Sequence, residues 1–307
     1  MPLTTKVMFQ TGIQASTKID FPSGITLSHS KVIFITEFDK DTRTWVVVTE
    51  NTPFHPVNYK WSDQPGDTGT VTIDGHKFDV LNTLTCGFEL ASHTFYLDTQ
   101  IPVRKGENGW FFVVAHIVKF PSDYSSTCLT GKTVILEVNA ERREQLSIAH
   151  SSCHLSALAL NKCTSKFWSK ECQKDSLANY NLDQLAIQKS QIKLEESNDF
   201  YRLGKSLKKK GFDTVAFFSQ ILDIEICINK QLAEWLKLDS PIKIEPQEAK
   251  IDDHRVWTCQ LQDGLAKIPC GGTHVKHLKQ ILSINVSLEV MSNEPEFVMY
   301  TTVKPRS

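Results

Sequence analysis

The chain has 307 residues, a formal charge of −1 and 40% apolar residues, which fits one large or two ordinary globular domains with a real core. The near-zero charge speaks against a protein that coats nucleic acid generally, while leaving room for a local basic patch. No apolar run approaches the roughly 18 residues of a membrane span; the longest begins at Trp110 and is interrupted by His116.

The N-terminal stretch "MPLTTKVMFQTGIQ" lacks the continuous apolar segment of a secretory signal, so a cytoplasmic chain is expected. Its eight cysteines (Cys86, Cys128, Cys153, Cys163, Cys172, Cys227, Cys259 and Cys270) follow no disulfide-rich pattern. They are expected to be reduced and mostly buried as small hydrophobes. Residues 1–138 read as β-rich. "KVIFITEF" (31–38), "TWVVVTE" (44–50), "WFFVVAHIV" (110–118) and "TVILEV" (133–138) are short, β-branched and aromatic, and separated by Gly, Pro, Asp and Asn. "DGHKFDV" (74–80) adds an Asp-Gly turn followed by a strand. Such closely spaced strands predict a small barrel or sandwich.

After Asn139 the character changes. Residues 141–162 have no Gly or Pro and many helix formers. Residues 163–210 are polar and charged, and read as helices or an excursion over the surface. Ile221, Ile224, Ile228, Leu232 and Trp235 predict an amphipathic helix within 215–236. In "ILSINVSLEV" (281–290) the apolar residues alternate with polar ones, a half-buried strand, and "FVMYTTV" (297–303) reads as another. The expected class is α+β, with a layered domain and antiparallel sheet over 139–307.

Two motifs carry chemistry. "HSSCH" puts His150 and His154 one turn apart on the predicted helix, where two imidazoles can grip one ion. Alone, that spacing also fits surface or partly buried histidines. The protease motif HExxH needs Glu after the first histidine, and Ser151 stands there. "CGGTH" supplies Cys270 and His274 from a Gly-rich turn. Alone, it also reads as a tight turn with a buried cysteine. No lysine follows the glycines, which speaks against a phosphate loop. Together the four residues would fill the tetrahedral shell of a zinc ion. Cys153 faces another side of the helix and reads as core, Cys259 is isolated, and His277 stands one turn from His274. The lysine run Lys205, Lys208, Lys209 and Lys210 reads as a solvated surface or as a phosphate track.

An arginine pair, HxxxH and then CGGTH is a pattern that resembles the alanyl-tRNA editing proteins of the free-standing AlaX type and the editing domain of alanyl-tRNA synthetase. Arg142 and Arg143 precede His150 by eight and seven residues, and "CGGTHV" (270–275) matches letter for letter. The stretch 212–236, with Glu225 and Asn229, is similar to a further family segment. In 52–69, Thr52, Phe54, Pro56, Gln64, Pro65, Asp67 and Gly69 align with the family. The chain departs at "NYKWSD" (58–63), where the family has a glycine cluster, and at His55, where it has tyrosine.

The resemblance implies a small N-terminal β-barrel over 1–138 and a zinc-binding editing domain over 139–307. It implies hydrolysis, in trans, of the ester joining serine, or glycine, to tRNA(Ala). His150, His154, Cys270 and His274 would hold the zinc, and Gln64 and Thr52 would line the amino-acid pocket. Arg143 would face the terminal phosphate or ribose, or form a structural ion pair. Lys205, Lys208, Lys209, Lys210 and Lys276, with Lys279 nearby, are the expected phosphate contacts. The expected partner is the acceptor end of a mischarged tRNA(Ala), with no membrane and no stable protein partner. The alternatives are a non-catalytic, zinc-stapled tRNA-binding protein and a hydrolase of another aminoacyl ester.

Overall fold

The computed structural model describes residues 5–6, 12–122, 124, 129–291 and 295–306. Most of the N-terminal stretch read for a signal, and Cys128, lie outside them. The chain divides into two compact units, Met1–Arg143 with Pro246–Arg255, and Glu144–Glu245 with Val256–Ser307. It is an α+β protein with several sheets.

The first unit carries β1 (Thr5–Lys6), β2 (Lys18–Ile19), β3 (Leu27–Asp39), β4 (Thr44–Thr49), β5 (Asn51–Thr52), β6 (Gly69–Ile73), β7 (His76–Glu89), β8 (Thr94–Leu97), β9 (Trp110–Lys119) and β10 (Thr133–Val138). Local chemistry sets the pairings. Asp74 and Gly75 have φ of 49° and 81°, the paired positive angles of a two-residue hairpin turn, and they join β6 to β7. Along β10, Val134, Leu136 and Val138 are buried and the residues between them exposed, the period-two pattern of a half-buried strand. In β4, Val46 and Val48 face one apolar core and Val47 faces another, so the run "TWVVVT" is apolar because both faces are covered.

The expected closed barrel is not what forms. β3, β4, β9, β7, β6 and β10 pair in a ring, β9 returning to β7, but the two long strands change partner along their length. β3 pairs with β10 through Leu27–Lys31 and with β4 only from Val32 onward. β7 pairs with β6 through His76–Val80 and with β9 from Val80 to Glu89. A register shift marks each changeover, at Val32/Phe34 and at Val80/Asn82, where bulges bend the strands. The apolar side chains of these strands fall in separate cores. One holds Val71, Ile73, Phe78 and Leu136, another Val46, Phe88, Phe95 and Val113.

The second unit is built on α1 (Ala140–Thr164), of which Glu144 onward belongs to it. Leu146, Ile148, Ala149, Leu155, Leu158 and Leu160 bury this helix on several sides, as expected of a helix inside a core. There follow α2 (Leu182–Ala186), β11 (Ile187–Lys193), β12 (Glu196–Arg202), α3 (Lys205–Lys209), α4 (Thr214–Ser219), α5 (Ile221–Trp235), β13 (Ile242–Glu245), β14 (Ala249–Lys250), β15 (Val256–Leu261), β16 (Gly264–Pro269), β17 (Ile281–Val290) and β18 (Glu296–Pro305). β11-β12-β18-β17 and β13-β15-β16 are antiparallel sheets, while β14 joins β2 and β5 in the first unit. The stretch 163–210 thus holds a hairpin and short helices.

The predicted helix over 215–236 breaks at Gln220 into α4 and α5, and Ile224, Ile228, Leu232 and Trp235 of α5 are buried. Glu225 and Asn229 face β17, an edge strand. The Asn229 amide donates to the Val286 carbonyl and accepts from the Val286 N–H, both at 2.8 Å, and Glu225 accepts from the Leu288 N–H at 2.8 Å. These side chains satisfy edge groups that would otherwise be open to another strand. Cys163 near the end of α1 and Cys227 on α5 are disulfide-bonded, their Cα atoms 6.0 Å apart, which corrects the expectation that all cysteines are reduced. The packing of these two helices, invisible in a separation of 64 residues, brings the thiols together.

Candidate metal centre

His150 and His154 project from α1 one turn apart, and Cys270 and His274 come from the loop after β16. One ligand atom from each of the four lies within 4.8 Å of the others. Cys270 Sγ is 3.5 Å from His150 Nε2 and 3.3 Å from His274 Nε2. For a tetrahedral ion with metal–nitrogen bonds of about 2.0–2.1 Å and a metal–sulfur bond of about 2.3 Å, sulfur and nitrogen stand roughly 3.6 Å apart. These contacts therefore have the length of the edges of a coordination shell. The three imidazoles pack around one point, with ring centroids 4.3 to 4.9 Å apart.

A further observation tests the fit. His154 Nε2 is buried with no hydrogen-bond partner among the described residues, and leaving such a group unsatisfied costs about 1–3 kcal/mol. A bound cation would accept its lone pair. Burial holds the imidazole of His150 down to about 3; burial and then the His150 charge hold His154 well below the usual histidine range. Both rings are thus neutral near pH 7, the form that ligates. The four residues can coordinate a metal ion.

No protein-family model and no curated protein matches this chain. The site's reading rests on its own geometry.

The surroundings orient the donors. The Gly272 N–H points at Cys270 Sγ, 3.4 Å away. Trp257, wholly buried on β15, meets His154 edge to face with centroids 5.3 Å apart. Ser151 accepts from the Val275 N–H at 3.2 Å, and Ser147 donates to Thr273 Oγ1 at 2.9 Å, so α1 grips the loop at two points. Ser151 is a residue that the sequence analysis used only to exclude a protease motif. A hydroxyl between two ligands one helical turn apart is the signal that would have found it. Cys153 is buried away from the cluster and contacts Asp199 Oδ2 at 3.4 Å. His277 pairs with Asp239 at 2.8 Å, and Cys259 is buried beside Ser240.

The other predicted residues fall in two groups. Thr52, Gln64 and Arg143 belong to the first unit and are buried there. Thr52 Oγ1 lies 2.8 Å from His116 Nε2 and accepts from the Phe54 N–H at 3.1 Å. His116 Nδ1 lies 2.8 Å from the Val47 carbonyl, which takes its proton and leaves Nε2 to accept from Thr52. The hydroxyl is therefore used on both sides. Arg143 Nε donates to Asp67 Oδ1 at 2.9 Å, its Nη2 reaches Asp67 Oδ2 and the Pro53 carbonyl, and Asp67 also accepts from the His55 N–H. Arg142 donates to the Gly66 carbonyl at 2.9 Å. The arginine pair thus ties together the two ends of the segment that joins β5 to β6. In the second unit, Lys205, Lys208 and Lys209 of α3 and the following Lys210 are exposed around a buried Leu207, and Lys276 is exposed beside His277. Among the described residues, no helix is long and apolar enough to cross a membrane.

Proposed function

We propose that this chain is a zinc-dependent deacylase that removes serine, and secondarily glycine, from mischarged tRNA(Ala). The observation that carries this reading is the convergence of four ligand atoms, within 4.8 Å, from two segments whose spacing and residue types resemble the editing family. One thiolate with three imidazoles is a borderline-soft set that favours zinc over magnesium or calcium.

When bound, zinc supplies Lewis acidity at the reacting ester or water. The chain's own residues do the rest. His150 and His154 offer neutral nitrogens from a rigid helix, and Gly272 N–H supports the negative sulfur of Cys270. Lys205, Lys208, Lys209, Lys210 and Lys276 offer exposed ammonium groups to tRNA phosphates. Gln64 takes part in amino-acid selection. Thr52 acts through its bonds to His116 and Phe54, its hydroxyl being engaged. Arg143 acts as a positioning residue through Asp67. Discrimination between serine and alanine then requires a buried polar group that alanine leaves unpaired.

A second reading has one observation in its favour. Four protein donors fill a tetrahedral shell, and closed shells are usually structural. In that reading the chain is a non-catalytic, zinc-stapled tRNA-binding protein. The deciding experiment incubates zinc-loaded protein with Ser-tRNA(Ala), Gly-tRNA(Ala) and Ala-tRNA(Ala). Loss of the seryl ester with the alanyl ester spared is expected. Intact esters throughout, with tRNA retained on the protein, would replace the first reading with the second. Turnover of a different aminoacyl ester alone would keep the hydrolase and change its substrate.

A further inference from the structure

We infer that Ser151 is the positioning residue that makes His274 a metal ligand, by dictating which of its two ring nitrogens carries the proton. Ser151 lies on α1 between the two helix ligands and is wholly buried. A hydroxyl has one proton and two lone pairs. The Ser151 proton goes to the Ser147 carbonyl one turn back, at 2.9 Å. One lone pair receives the Val275 N–H at 3.2 Å. The other faces His274 Nδ1, also at 3.2 Å. With its proton already given away, Ser151 can only accept from that nitrogen. The contact therefore requires hydrogen on Nδ1 of His274. In a neutral ring this leaves the lone pair on Nε2, and Nε2 is the atom that faces Cys270 Sγ at 3.3 Å.

The alternative arrangement would not ligate through Nε2. If Ser151 turned its proton toward Nδ1, the ring would carry hydrogen on Nε2, pointing at the sulfur, and that nitrogen would have nothing to offer a cation. One hydroxyl proton thus separates a ring that can ligate from one that cannot. The bond to Val275 adds a second effect. Val275 directly follows His274, so the same oxygen pins the loop backbone to the helix that supplies the other two imidazoles. Partners of this kind set ligand orientation and basicity in metal sites. The inference rests on the four-residue cluster and not on the choice of reaction.

The test measures zinc affinity by competition with a chromophoric chelator, and the His274 tautomer by long-range proton–nitrogen NMR on the metal-free wild type. Ser151→Ala is expected to weaken zinc binding about 10- to 100-fold, while Ser152→Ala, its neighbour on α1 whose buried hydroxyl has no hydrogen-bond partner among the described residues, changes it by less than about threefold. Ser151→Thr, which keeps the hydroxyl, is expected to recover most of the loss. The wild-type ring is expected to be protonated at Nδ1. A folded Ser151→Ala protein that binds zinc as tightly as wild type would overturn the inference, and so would a wild-type His274 protonated at Nε2. Should Ser151→Ala fail to fold, the wild-type tautomer decides alone. Should the wild type take no zinc, the metal reading fails, and the tautomer still decides for or against Ser151.

Discussion

Two groups of buried polar residues, one in each unit, differ in how their donor atoms are arranged, and the difference separates support from candidate chemistry. In the first unit, the hydroxyl of Thr52 is used as both donor and acceptor, and the Asp67 carboxylate receives Arg143 and the His55 N–H. These groups answer one another. In the second unit, His150, His154, Cys270 and His274 crowd donor atoms around one point, and His154 Nε2 is buried without a protein partner. A lone unsatisfied atom also occurs in the first unit, at Asp98 Oδ1, so it is the convergence of four donors on one point that gives the second unit the better claim to a bound ion.

The contrast can be broken at several places. The largest effect is expected at the cluster itself. Cys270→Ala removes one of four ligands and should weaken zinc binding by at least about 100-fold, read by metal analysis after dialysis. Full metal retention would remove Cys270 from the site. Next comes the first unit's ion pair. Asp67→Asn leaves the buried Arg143 charge uncompensated, and a loss of about 3–5 kcal/mol is expected in urea unfolding of metal-free protein. A loss of under about 1 kcal/mol would mean that the pair is not a structural staple.

A pH titration gives an effect of intermediate size. Burial holds the His116 imidazole down to about 4, against 6.5 for a free one. Between those values the unfolded chain binds the proton that the folded chain refuses. The stabilisation is therefore complete above about pH 6.5 and is lost as pH falls toward 4, on the order of 3 kcal/mol in all. His150 and His154 act in the same direction, so the measurement is the difference between metal-free wild type and His116→Gln, which should lose less on acidification. The smallest effect belongs to Thr52. Thr52→Val strands His116 Nε2 and the Phe54 N–H and should destabilise by about 1–3 kcal/mol. If it instead left stability unchanged while relaxing the choice between serine and alanine, Thr52 would be a substrate contact after all.

Much of the candidate site is legible in the sequence because ligand spacing is local. The step from His150 to His154 is one helical turn, and CGGTH spans five consecutive residues, so each half declares itself without a fold. What joins them does not. Ser151 reads as an ordinary serine until α1 and the loop are packed together. The fold shows the same division. α1 follows from a run of helix formers without Gly or Pro, and β17 from apolar periodicity. The hairpin β11–β12 does not, because the buried positions of β12 are Ser197, Asp199 and Tyr201, so its burial alternates while its hydrophobicity does not. The closed barrel fails for a related reason. Strand composition identifies β3 and β7, but a change of partner at Val32 and at Val80 is a long-range event that composition does not record.

The central claim is that His150, His154, Cys270 and His274 together hold one zinc ion. X-ray absorption at the zinc edge of the purified, dialysed protein tests it most directly. The account predicts one zinc per chain with three nitrogen neighbours at about 2.0–2.1 Å and one sulfur at about 2.3 Å. A folded chain without zinc, or zinc in a shell lacking sulfur, would contradict it.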